Sequence, residues 1–357
     1  MSQRWRLKLE KRDRVSRGLQ SFALLIASGV AVMITAALIA ATGTNVAAGF
    51  GALWSGAFGS WRTLLASLTK STPLILTGLA TVVAFRARVW NIGQEGQLYA
   101  GAILSYWAYR AFQGQPPAVL IIIVIAAALL GGAACGLIAG AVKVAFGVDE
   151  IITTIMLNYL IGYLLSWLLS NPWRDPNSYY QHSPAVSDAA QLPILVEGSR
   201  LHLGFLVAIV AALALYVLVK MTPLGFEIRA FGLNSTASQF QGTDVRSLTL
   251  LVMLISGAVA GLAGGSELFG IHHRLKADIS LGYGYTGIII AMVASLNPVA
   301  VLPAAILFGG LINGSLKLQT VNQVPAALVY VIQAVVLLSL LTARAITSYR
   351  IRRVQSV

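Results

Sequence analysis

Apolar runs of about 20 residues recur along this chain, each long enough to cross a bilayer core of roughly 30 Å as a helix. They cover 22–42, 66–85, 92–112, 118–146, 151–170, 201–219, 248–270, a short 285–296, 299–314 and 326–342. This predicts an all-α polytopic membrane protein of about ten helices, with one transmembrane domain over 21–346. The joints are mostly short, with two exceptions. Asn171 to Arg200 is a polar loop broken by Pro172, Pro176, Pro184 and Pro193, placed outside the cell. Lys220 to Arg246 is a polar connection on the opposite side. Thr222 and Pro223 end the helix before it, because proline has no N–H to donate and restricts the preceding residue. Asn234 and Ser235 then suit an N-cap and Gly242 a C-terminal cap, which predicts a helix of about seven residues, roughly 10 Å long. Such a helix is either a docking element or a turn in a solvated loop, and the residues alone leave both open. Near the end, the short run at 285–296 stops at Asn297-Pro298 with almost no loop before the next. That pattern predicts a broken or partly penetrating helix, which is tolerated only where protein or a water-filled path surrounds it.

Composition sharpens the class. With 57% hydrophobic and 10% charged residues and a mean hydropathy of +0.78, no sizeable water-soluble domain fits. A net charge of +13 would suggest nucleic acid in a soluble protein. Here the basic residues sit at the ends of apolar runs, so they read as topology signals and no nucleic-acid partner is expected. Most of the 25 Lys and Arg fall on one side, including the basic tails 1–20 and 347–357, which predicts cytoplasmic termini. The single Cys135, inside an apolar run, excludes an internal disulfide and reads as packing. Gly132, Gly136 and Gly140, like Gly257 and Gly261, recur every four residues and predict close helix contacts.

The chemically loaded run is Asn91 to Tyr99, with Gln94, Glu95 and Gln97 among glycines. An ionised Glu at a helix centre costs about 2.5–3.5 kcal/mol on insertion scales, so Glu95 needs partners, water or a polar substrate, unless it lies shallow and hydrated beside Arg86 and Arg88. Asn158, Tyr159 and Glu267 are further candidates for a substrate pathway, although a lone Asn, Tyr or Glu commonly serves as an interhelical hydrogen-bonder. His272 and His273 point different ways on a helix, and no metal site is expected. The chain lacks G-x-x-x-x-G-K-[ST], so it has no ATPase site of its own, and it lacks H-E-x-x-H. An ion-coupled secondary transporter would normally show repeated halves, and none is evident.

The runs at 72–102, 150–160 (EIITTIMLNYL), 222–234 (TPLGFEIRAFGLN), 257–270 (GAVAGLAGGSELFG) and 282–311 resemble the permease subunits of bacterial ABC importers. The nearest branch is the nucleoside-type group related to simple-sugar permeases, with a type II-like fold. Gln94 departs from it, standing where a small residue is usual. The resemblance implies a non-enzymatic importer subunit in the bacterial inner membrane, moving nucleosides or related sugars by alternating access. It implies that ATP and Mg are bound by a cytoplasmic ATPase partner, and that a second permease chain and an extracytoplasmic binding lipoprotein complete the assembly. It also makes Lys220 to Arg246 the coupling loop, with Gly225, Arg229, Gly232, Asn234, Ala237, Phe240 and Gly242 at the ATPase contact.

Overall fold

Long apolar runs with their backbone hydrogen bonds satisfied internally can only be helices in a membrane, and the computed structural model is helical almost throughout. It describes residues 5–11 and 16–355; Arg4, Arg12, Asp13 and Arg14 of the basic tail, with Ser356 and Val357, lie outside them. The helices are α1 (Arg17–Ala41), α2 (Val46–Ala57), α3 (Trp61–Arg86), α4 (Gln94–Ala111), α5 (Pro117–Phe146), α6 (Glu150–Ser170) and α7 (Leu203–Met221). They continue as α8 (Pro223–Leu233), α9 (Ser235–Phe240), α10 (Val245–Glu267), α11 (Tyr283–Val293), α12 (Pro298–Asn322) and α13 (Ala326–Ser348). A strand pair, β1 (Trp5–Lys11) antiparallel to β2 (Tyr349–Gln355), brings the two ends of the chain together.

The expected ten spans need correction. Among the described residues 7 helices are long and apolar enough to cross a membrane, or 8 if the α1–α2 pair, bent by 115°, counts as one broken span. Every run in the sequence does become a helix. However, α4 opens with the polar Gln94–Gln97, which lowers its hydropathy, and α11 has only 11 residues, about 16 Å, or half a bilayer core. Helix α2 went unforeseen because its apolar run, 12 residues long, is too short to cross a membrane by itself.

The chain divides into two units, 57–310 and the remainder (1–56 with 311–357). In the smaller unit, Ile39, Ala52, Leu318, Val324 and Ile332 form a buried cluster. Helix α2 lies backbone to backbone on α12: a Cβ on Gly314 would come within 2.3 Å of the Leu53 carbonyl oxygen.

In the larger unit α3 is the central post, with 89% of its span buried, whereas α6 and α7 are peripheral at 17% and 28%. The predicted glycine faces meet each other. A Cβ on Gly132 would lie 2.1 Å from the Gly257 carbonyl oxygen, and one on Gly257 2.2 Å from the Gly132 oxygen, so α5 and α10 touch through bare backbone. The loop at 171–200, expected as a polar connection, is stitched down. Ser183, Val186 and Leu192 donate backbone N–H groups to the carbonyls of Leu275, His273 and Phe269 at 2.8 to 2.9 Å. The last of these belongs to a wide π-helical turn at Leu268–His272 that ends α10.

Candidate functional site

The position of the site follows from where two helices begin. Thr77 lies nine residues from Arg86 along α3, about 14 Å at 1.5 Å per residue, and its hydroxyl donates to the Tyr283 carbonyl at 3.0 Å. Helix α11 therefore starts near mid-depth. It then runs to the Arg86 end, where Arg86 Nε donates to the Leu296 carbonyl at 2.7 Å. Helix α4 also starts inside, after the link 87–93 has doubled back past the end of α3. Gln94 Nε2 reaches Thr81 Oγ1 at 3.0 Å, one turn short of Thr77. Two helix N-termini thus meet inside the bundle, each carrying unpaired N–H groups that must find acceptors.

The polar run supplies those acceptors. Glu95 is buried and its Oε2 accepts the Gly284 N–H at 2.7 Å; the Gly282 amide and the Ser280 and Tyr99 hydroxyls lie near this carboxylate, with Tyr99 donating to the Ser280 carbonyl at 3.5 Å. An anion at a helix N-terminus is the favourable pairing. The approach is so close that a Cβ on Gly284 would lie 2.4 Å from the Glu95 nitrogen. Asn158 serves the α4 start: its Oδ1 accepts the Gly96 N–H at 2.7 Å, while its Nδ2 donates to the Ile92 carbonyl at 3.0 Å and the Tyr285 hydroxyl at 3.3 Å. Asn91 holds the link in place through Ser256 Oγ at 2.9 Å and a paired exchange with Gln97 at 3.1 and 3.2 Å. Gln94 ties Thr81 to the Asn91 carbonyl, leaving its own Oε1 buried without a partner.

Of the predicted pathway residues, Asn91, Gln94, Glu95 and Asn158 share this hub. Tyr159 is next to Asn158 in sequence but 59% exposed on the outer face of α6. Glu267 is elsewhere, buried under the stitched loop near His202 and 3.5 Å from His272 Nε2. Sequence reasoning included Tyr99 in the loaded run without giving it a role, and missed Ser280 and Tyr285; for Tyr285 the Gly-Tyr-Gly-Tyr run at 282–285 was the available signal.

The connection after α7 carries two helices where the sequence predicted one. Thr222 caps α8, accepting the Gly225 N–H, and Pro223 occupies its first turn, where a missing N–H costs nothing. Asn234 then caps α9 through the Ala237 N–H at 3.1 Å, and Gly242 turns the chain out at φ +92°. Gly225 and Gly232 are buried against backbone: their Cβ atoms would fall 2.1 Å from the Leu218 oxygen and 1.9 Å from the Arg86 oxygen. Arg229 Nη1 is buried without a partner, with Arg86 as a neighbouring charge. Ala237 and Phe240 are exposed, Phe240 at 88%. Beyond α9, Asp244 caps α10; hydrogen bonds from the Ser247 hydroxyl and the Arg246 amide hold its carboxyl below the usual range.

A family described as the branched-chain amino acid transport system permease component matches residues 63–341. The chain belongs to this permease family. Its relatives include the guanosine ABC transporter permease protein NupP of Bacillus subtilis, 37% identical, with 90% of this chain and 91% of NupP covered. The nucleoside ABC transporter permease protein NupB of Lactococcus lactis is 31% identical, over 86% of this chain and 89% of NupB. A second guanosine permease protein of Bacillus subtilis, NupQ, is 28% identical over 68% of this chain and 78% of its own length. This family member is accordingly a multi-pass membrane protein, a transport subunit by descent.

Proposed function

We propose that this chain is one permease subunit of an ABC importer for nucleosides, moving them by alternating access powered by ATP hydrolysed in a partner. The observation that carries the reading is the hub where α4 and α11 both begin inside the bundle, with Glu95 and Asn158 capping them. Interrupted helices are costly in a membrane and recur where a polar solute must be met midway. The substrate class rests on the likeness to NupP and NupB. The Arg86 end is then cytoplasmic, as are both termini, and the 171–200 loop faces a substrate-binding lipoprotein. Helices α8 and α9 form the coupling element, seated in the ATPase through Ala237 and Phe240. That NupP and NupQ are both relatives, in one organism and both named as guanosine permeases, favours a paralogous second permease chain over a second copy of this one. Cells lacking nucleoside uptake and given the complete gene set should accumulate labelled guanosine. Omitting this chain, or supplying it as Ala237→Asp, should abolish uptake; guanosine uptake unaffected by omitting the chain would refute the reading.

A further inference from the structure

We infer that Tyr159 and Tyr285, joined through Asn158, form the surface on which the base of the nucleoside stacks as it crosses the membrane; the inference rests on the nucleoside reading above. Tyr159 lies nine residues into α6 from Glu150, about 14 Å along a core of roughly 30 Å. Tyrosine in membrane proteins favours the water interface, where its hydroxyl is solvated. Along the exposed face of α6, Ile152 and Met156 suit lipid, and from mid-depth the face turns aromatic, with Tyr159 first and Tyr163 and Trp167 after it. Hydrocarbon is a poor environment for the polar hydroxyl of Tyr159.

Tyr285 is 42% exposed, and Asn158, which holds it, immediately precedes Tyr159 on α6. It projects from the first turn of the half-length helix α11, and its hydroxyl accepts from the Asn158 amide at 3.3 Å. Asn158 is itself fixed by the Gly96 amide and the Ile92 carbonyl, so Tyr285 is held before any ligand arrives. Two phenol rings at one depth, one of them pre-oriented beside the polar hub, suit a planar aromatic ligand carrying a polar sugar. The rings meet the base, and the sugar hydroxyls meet the polar side chains of the hub. Stacking on aromatic side chains tolerates any base, which fits a carrier whose ligand is chosen by a separate binding protein.

The test uses the complete transporter in proteoliposomes with labelled guanosine as probe. Tyr159→Leu and Tyr285→Leu should each raise the half-saturating concentration or lower the uptake rate by about 10-fold to 100-fold, the span expected for losing one base–aromatic contact. The Phe variants should recover most of that loss, because the ring does the stacking. All variants should copurify with the second permease and the ATPase. Leu variants that transport like the wild type, or Phe variants as impaired as Leu, would overturn the inference. So would Leu variants that no longer copurify with the second permease, which would make this face a subunit contact. A wild-type complex that moves no guanosine overturns the nucleoside reading itself, and with it the stacking surface.

Discussion

Replacing Glu95 with Gln removes a charge while preserving shape, so its effect can be worked from the contacts. The Gly284 amide donates to the carboxylate at 2.7 Å, and the Gly282 amide and the Ser280 and Tyr99 hydroxyls lie near it. Gln offers one acceptor oxygen and turns an NH2 group toward the remaining donors. Hydrogen bonds to a charged group contribute about 1.5–3 kcal/mol against roughly 1 for a neutral pair, and an unsatisfied buried donor costs about 1–3 kcal/mol more. Allowing for relaxation of the hydroxyls, the start of α11 should lose about 2 kcal/mol, roughly a 30-fold increase in local opening. Hydrogen exchange should show it directly: amides at 282–287 exchanging about 30-fold faster, with the α5–α10 contact near Gly132 and Gly257 unchanged. Guanosine transport should fall alongside, with assembly intact. Exchange at 282–287 within twofold of wild type would refute the capping argument, and normal transport would remove Glu95 from the moving parts.

Other outcomes follow from the same contacts. Gly257→Leu should block membrane assembly, since even a Cβ would press within 2.2 Å of the Gly132 oxygen and overpacking costs about 1–3 kcal/mol or more; a normal yield of folded protein in detergent would contradict it. Ala237→Asp should leave the permease folded but uncouple it, seen as loss of substrate-stimulated ATP hydrolysis by the purified complex. His202, buried at the start of α7 with Nδ1 accepting the Gly204 N–H, has its imidazole pushed down to about 4, chiefly by burial. Its neutral form is the folded one, so stability is complete above the ordinary histidine value and drains away as pH falls from about 6.5 towards 4. At pH 5 the loss should be roughly 2 kcal/mol, read as a drop in melting temperature that His202→Asn, another N-cap residue, largely abolishes.

The helices were legible because 20-residue apolar runs and their basic ends are a strong signal. So were the glycine faces and the Asn234 cap, each being set within a few residues. Membrane crossing was less legible. Run 92–112 looked like a full span, whereas 285–296, cut short at Asn297-Pro298, already looked broken or partly penetrating; α4 and α11 both start inside the protein, and only the fold reveals that Thr77 and Thr81 stand beside their first turns. The polar hub was half visible. Glu95 and Asn158 stood out as costly residues, whereas their work as caps depends on Gly284 and Gly96, distant in the chain. Glu267 looked equivalent by composition and proved to belong to the histidines under the 171–200 loop, a separation no spacing encodes.

The central claim, an importer driven by a partner's ATP through this chain, is tested most directly by uptake into proteoliposomes containing the complete complex, with binding protein and labelled guanosine on the outer side. With ATP and Mg enclosed, guanosine should accumulate against its gradient, unaffected by a protonophore or a sodium ionophore, and Ala237→Asp should reduce it to the level without ATP. Accumulation that proceeds without ATP and collapses with the ionophores would contradict the account, making this chain part of an ion-coupled carrier.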